Sequence, residues 1–128
     1  MRSQILFVSG DRGEARQLTQ MLHELPLALD HATSVRQARS KLGKKLFNAV
    51  LTEAALPDGD WLDVLKMSRD LPSETQLIVT DARADARFWA EALNLGAYDM
   101  LAQPFYEPEV RRILSNVCTR RAMARAAV

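Results

Sequence analysis

Five short apolar runs, each of strand length and each followed by a stretch long enough for a helix, constrain this chain more than any other feature. They fall at Gln4–Val8, Leu27–Ala32, Ala49–Thr52, Gln76–Thr80 and Asp99–Leu101. Several are unbroken by polar residues, the pattern of strands buried on both faces rather than one. The connectors carry helical spacing instead. Ala15, Leu18, Leu22 and Leu25 recur on one face, Val35, Ala38 and Leu42 on a second, and Leu62 and Leu65 on a third. Ser34 and Asp60 are placed to cap the second and third helices, Pro108 sits in the first turn of the last, and Gly43 and Gly96 are placed to end helices.

Strict alternation of strand and helix predicts parallel strands joined by right-handed crossovers, with helices on both faces. The expected fold is α/β: a doubly wound, flavodoxin-like (βα)5 sandwich with a five-stranded parallel sheet in the order 2-1-3-4-5. A length of 128 residues with 48% hydrophobic content is enough for one core without disulfides or metal, so residues 1–128 are expected to form one domain. Residues 119–128 read as a helix extension or a linker.

The charge balance, 17 basic against 16 acidic residues, gives no electrostatic reason to expect nucleic acid or a membrane as the main partner. A single Cys118 and an amino terminus with too short an apolar run for a signal peptide fit a reducing, cytoplasmic setting. No apolar stretch approaches the roughly 20 residues of a bilayer span.

In doubly wound folds ligands gather beyond the carboxyl ends of the strands, where strand order reverses. The residues to read are therefore Ser9, Gly10 and Asp11 after the first strand, Glu53 after the third, Thr80 and Asp81 after the fourth, and Gln103 and Pro104 after the fifth.

At these positions the words AVLTEAALPDGDWLDVL, LIVTDARAD and LGAYDMLAQPF, in this order within a β-α frame, resemble the receiver domain of response regulators. The resemblance covers nearly the whole chain, and GAYDMLAQPF is similar to receivers attached to sigma-54-type activators. It implies two-component signalling, an aspartate that accepts a phosphoryl group after the third strand, an acidic pair holding magnesium after the first, and a lysine before the proline. Here Glu53 stands at the acceptor position, Ser9 and Gly10 at the acidic pair, and Gln103 at the lysine, leaving Asp11 as the residual acid of the loop.

Magnesium takes near-octahedral oxygens at roughly 2.0–2.1 Å, and in-line phosphoryl transfer tolerates little displacement of the acceptor. The expectation is a degenerate receiver: no catalytic residue, no cofactor, weak or absent magnesium binding, and action through protein contacts. Thr80 stands at the implied switch hydroxyl, where a bond to Glu53 would imitate the phosphorylated arrangement. Met100 stands at the implied switch aromatic, as adaptable filler or as a switch partner.

Trp61 reads either as a lid or partner contact on the pocket rim or as a ring lying against the third helix. Phe88 and Trp89 cannot both face the core, so one is expected to expose an apolar edge on the fourth helix. The resemblance implies docking or homodimerisation through the fourth helix, fifth strand and fifth helix.

His23 and His31 lack companions at metal-ligand spacing, and SGDRG lacks the glycines and lysine of a nucleotide loop. Arg111, Arg112, Arg120, Arg121 and Arg125 read as a solvated helix face. Two other readings are carried: a working receiver phosphorylated with magnesium at an unorthodox acid, Asp11 or Asp58, and a small flavodoxin-like enzyme or cofactor binder.

Overall fold

The computed structural model describes residues 3–71, 75–83 and 85–126, with side chains described as far as residue 119. The elements are β1 (Ser3–Val8), α1 (Arg12–Met21), β2 (Leu27–Ala32), α2 (Val35–Leu42), β3 (Ala49–Glu53), β4 (Ala55–Leu56), β5 (Gly59–Asp60), α3 (Trp61–Arg69), β6 (Gln76–Asp81), α4 (Ala86–Leu95), β7 (Asp99–Ala102) and α5 (Glu107–Ala126). Five strands pair in parallel in the order β2-β1-β3-β6-β7, which is the expected 2-1-3-4-5. The two-residue strands β4 and β5, which the sequence did not signal, form a small antiparallel hairpin between β3 and α3.

Side chains alternate across each strand and so divide the core into two layers. Ile5 and Phe7 of β1, Leu51 of β3, Ile78 of β6 and Leu101 of β7 pack under α1 and α5, against Leu18, Val110 and Leu114. Leu6, Val8, Val50, Val79 and Met100 pack on the other face under α2, α3 and α4, against Ala38, Val64 and Ala92. Burial on both faces is why these strands read as unbroken apolar runs.

The helix signals act where the sequence put them. Ser34 Oγ accepts from Gln37 N at 3.1 Å. Asp60 caps α3 in a reciprocal box with Asp63. Gly96 ends α4 in the left-handed region, with φ of 119°. The buried face of α3 is Trp61, Val64, Leu65 and Ser68, with Leu62 only partly covered. α5 runs as one helix to Ala126; the side chains of Arg120, Arg121 and Arg125, and residues 127–128, lie outside the described residues.

Candidate functional site

Strand order reverses between β1 and β3, so their carboxyl ends splay apart and leave a crevice at that edge. By alternation Ser9, Glu53, Thr80 and Gln103 continue the layer of Phe7, Leu51, Ile78 and Leu101, the face that α1 and α5 cover. Four end-of-strand side chains singled out in the sequence are thus brought to one side of the sheet.

Ser9 is fully buried and sits at the centre of this group. Its hydroxyl donates to Glu53 Oε1 in a short hydrogen bond. It accepts from Asp11 N at 3.0 Å and lies 3.5 Å from Glu14 Oε2. Asp11 is not a free acid: its Oδ1 accepts from Gly13 N at 2.8 Å and Glu14 N at 3.4 Å, capping α1. His31 stacks on Phe7, with Nε2 2.8 Å from the carbonyl oxygen of Ser9.

The residue that sequence reasoning missed is Glu14. Carried back over the sheet edge by the first turn of α1, its Oε2 accepts from Gln103 Nε2 at 2.8 Å and lies 3.5 Å from the Ser9 hydroxyl that also reaches Glu53. Burial pushes the Glu14 carboxyl up from its ordinary 4.5 to about 7; the hydrogen bond and charge of Glu53 and the charge of Asp11 push the same way, against the Gln103 bond. The only sequence signal was an acid in the first turn of a helix that follows an edge-of-sheet loop.

The expected bond between Thr80 and Glu53 is not formed. The two are register partners on β3 and β6, but the Ser9 hydroxyl offers Glu53 its donor from the β1 side. The Thr80 hydroxyl is buried without a hydrogen-bond partner. Met100 pairs with Val79 and points to the opposite face of the sheet from Thr80, so the expected switch pair is not assembled side by side. Pro104 is exposed and follows a cis peptide bond.

Trp61 is 6% exposed, in the core under α3, with its ring edge-on to Phe88 at 6.4 Å between centroids. Of the two readings, the ring lying against the helix matches the packing, and its burial leaves no surface for a partner. Trp89 is the outward member of its pair, 49% exposed. Beside it α4, β7 and α5 enclose a cavity of about 300 Å³ lined by Trp89, Asp99, Met100 and Arg112 among others.

Residues 5–115 match the family described as the response regulator receiver domain. The swarming motility regulation protein RssB of Serratia marcescens is 31% identical over 106 residues, covering 83% of this chain and 48% of RssB. The response regulator protein PilR of Pseudomonas aeruginosa is 26% identical over 117 residues, covering 91% of this chain and 26% of PilR. The chain therefore spans between a quarter and a half of these curated relatives.

Among solved structures, the signal receiver domain of an HD domain-containing protein from Pseudomonas fluorescens Pf-5 superposes with a TM-score of 0.85 at 26% identity, over 99% of this chain and 94% of that one. The beryllofluoride-activated NtrC4 receiver domain dimer superposes with a TM-score of 0.83 at 20% identity, over 91% and 97%; at that identity the likeness shows the fold.

Proposed function

The chain belongs to the response regulator receiver domain family, and on that premise we propose that it is a signalling module that takes up no phosphate and works through protein contacts. The observation that carries this reading is the state of Glu53. Its carboxylate occupies the acceptor position but is engaged by the hydroxyl of the fully buried Ser9 instead of facing an incoming phosphoryl group.

The donor set does not fit a magnesium ion. Ser9 and Gly10 supply no carboxylate, an Asp11 oxygen is taken by helix amides, and the Glu14 and Glu53 carboxyls are engaged by Gln103 and Ser9. Among the described residues no group of three or more His, Cys, Asp or Glu side chains could hold a metal ion. Gln103 brings a hydrogen-bond donor without a positive charge to set against phosphoryl oxygens.

The alternative acceptors are committed elsewhere. Asp11 caps α1, and Asp58 accepts from Val35 N at 2.7 Å and Arg36 N at 3.0 Å at the start of α2. Those amide bonds, that of Val35 first, hold the Asp58 carboxyl below its usual range. Both carboxylates therefore serve as helix caps.

Output through an effector or a second copy would use the surface of α4, β7 and α5, where the exposed Trp89 lines the cavity and Leu93 of the same helix is also exposed. NtrC4's receiver is a dimer in its beryllofluoride-activated form, and the same face is our proposed contact here. The bacterial cytoplasm is the setting this reading implies.

The test is incubation with acetyl phosphate or beryllofluoride plus magnesium, followed by mass analysis and amide NMR. No adduct and no shift are expected. A stoichiometric, magnesium-dependent change overturns the proposal.

A further inference from the structure

Between His31 and Thr52 the sequence holds Arg36, Arg39, Lys41, Lys44 and Lys45 and no aspartate or glutamate, an uneven placement in a chain whose formal net charge is +1. The structure puts all of these cations on α2 and the turn that follows it. Gly43 N donates to Arg39 O, and Lys44 N and Lys45 N both donate to Lys41 O, so the backbone keeps winding past the end of α2. The helix buries Val35, Ala38 and Leu42, and the cations spread over the rest of its circumference. Arg39 lies on the α3 rim, its Nε donating to Met67 Sδ at 3.4 Å. Lys41 lies on the β2 rim, 3.0 Å from Asp30 Oδ1, and Arg36 and Lys44 are exposed between the two rims.

Helix stability accounts for only part of this pattern. Arg39 and Lys41 stand in the last turn, where cations complement the helix dipole. Arg36 stands in the first turn, where a cation opposes it, and α2 has no acid of its own there; Asp58 of the β4–β5 turn caps the helix instead. Among the described residues no ion pair engages Arg36, Arg39 or Lys44, while Lys41 and Lys45 share the one carboxylate of Asp30. Leu46 follows at once and is 61% exposed, although its neighbour Phe47 is buried with Lys45 Nζ 5.0 Å over its ring. A partner covering this surface gains apolar burial on Leu46 and charge pairing beside it.

We propose that α2 and the turn to Leu46 dock an acidic segment of another protein, its carboxylates pairing with Arg36, Arg39 and Lys44 and an apolar side chain seated on Leu46. The make-up of the patch selects this partner. Single-stranded nucleic acid uses exposed aromatic faces for stacking, and Phe47, the aromatic of this patch, is buried; Asp30 within the patch also repels a phosphate backbone. A membrane surface needs a broader apolar face than one leucine. β2 and β7 are the opposite edges of the sheet, so an acidic segment held beside β2 leaves Trp89 and the α4–β7–α5 surface open to a second protein.

This inference rests on the reading that the domain works through protein contacts, but its test involves α2 and not the Glu53 crevice, so each can fail alone. The nitrogen-15-labelled 128-residue chain would be titrated at low salt, by amide NMR, with a glutamate-rich peptide carrying one central leucine, with oligothymidylate, and with phosphatidylglycerol vesicles. The peptide is expected to shift the amides of residues 36–48 saturably, with an affinity that falls as salt is raised. Arg36→Glu combined with Lys44→Glu should weaken it about tenfold, two exposed pairs being turned from attraction to repulsion. Leu46→Ala should weaken it with the salt dependence unchanged, and because it alters no charge it reads the same surface should the double reversal fail to fold. No saturable shift, shifts centred on Arg111 and Arg112 of α5, wild-type affinity in Leu46→Ala, or tighter binding of the oligonucleotide or the vesicles at α2 overturns the proposal.

Discussion

Gln103 donates from Nε2 to Glu14 Oε2 at 2.8 Å, joining the end of β7 to the first turn of α1 across 89 residues of sequence. A neutral donor here stabilises the Glu14 carboxylate only weakly, which leaves burial and Glu53 to dominate its titration. Replacing Gln103 by lysine would put a cation within reach of the pair. In Gln103→Lys the Glu14 midpoint should fall by about 1–3 pH units, the size of shift an adjacent opposite charge produces. Carboxyl NMR of the variant checks this.

The raised Glu14 value also predicts how stability depends on pH. Its folded value of about 7 lies above the ordinary 4.5, so the folded state holds its proton more tightly than the unfolded chain does. The resulting stabilisation is complete below the unfolded value and is lost as pH rises through the folded one. Asp30 pulls the other way: burial raises it, but hydrogen bonds from Lys41 and from the His31 amide outweigh that and lower it, so its contribution is lost only as pH falls through its folded value. Urea midpoints should therefore decline between about pH 5 and about pH 8 in the wild type and stay flat across that window in Glu14→Gln.

Restoring the acceptor alone should not restore phosphoryl chemistry. In Glu53→Asp the shortened carboxylate would still face Ser9 and Gly10 instead of an acidic pair, with Gln103 in place of a cation. No magnesium-dependent adduct with acetyl phosphate is expected from this single substitution, as read by mass spectrometry. Adding Ser9→Asp, Gly10→Asp and Gln103→Lys should bring magnesium binding back, measured by calorimetry. A Cβ at Gly10 meets only Pro57 side-chain atoms at 3.4 and 3.6 Å, so an aspartate has room there.

The frame of this protein was legible because each signal was local. Leu6 and Val8 alternate with Ile5 and Phe7 in an unbroken run, and Ser34, Asp60 and Gly96 punctuate helices within one turn of where they act. The crevice was only half legible. Positions 9, 53, 80 and 103 could be listed from strand ends, but which of them bond depends on non-local geometry. Ser9 read as a missing acid, yet it is a donor that draws Glu53 away from Thr80. Glu14 lay inside an ordinary amphipathic helix pattern, and only the packing of α1 over the sheet edge brings it to Glu53. The β4–β5 hairpin, two residues to a strand, is too short for any periodicity to show.

The end of α4 depends on a glycine for two independent reasons. Gly96 has φ of 119°, and a Cβ there would lie 1.9 Å from Arg69 Nη2, which itself donates to Leu95 O at 2.6 Å. Gly96→Ala should therefore strain the backbone and expel the guanidinium that satisfies an end-of-helix carbonyl. A loss of about 1–3 kcal/mol is expected, read as a lowered denaturation midpoint with an unchanged slope.

The two tryptophans separate stability from interaction. Trp61 is buried against Phe88 between α3 and α4, and removing it would leave a cavity the helices cannot close. Trp61→Ala should cost about 3–5 kcal/mol. Trp89 stands 49% exposed on α4, beside the cavity shared with β7 and α5, so truncating it removes little buried contact. Trp89→Ala should unfold with nearly the wild-type midpoint while weakening any association through that face, since exposed aromatics carry a large share of interface energy. Sedimentation velocity over a concentration series on both proteins checks the second part. A Trp89→Ala protein that self-associates as the wild type does would place the contact elsewhere, because no other side chain on α4 presents an aromatic face to solvent to the same extent.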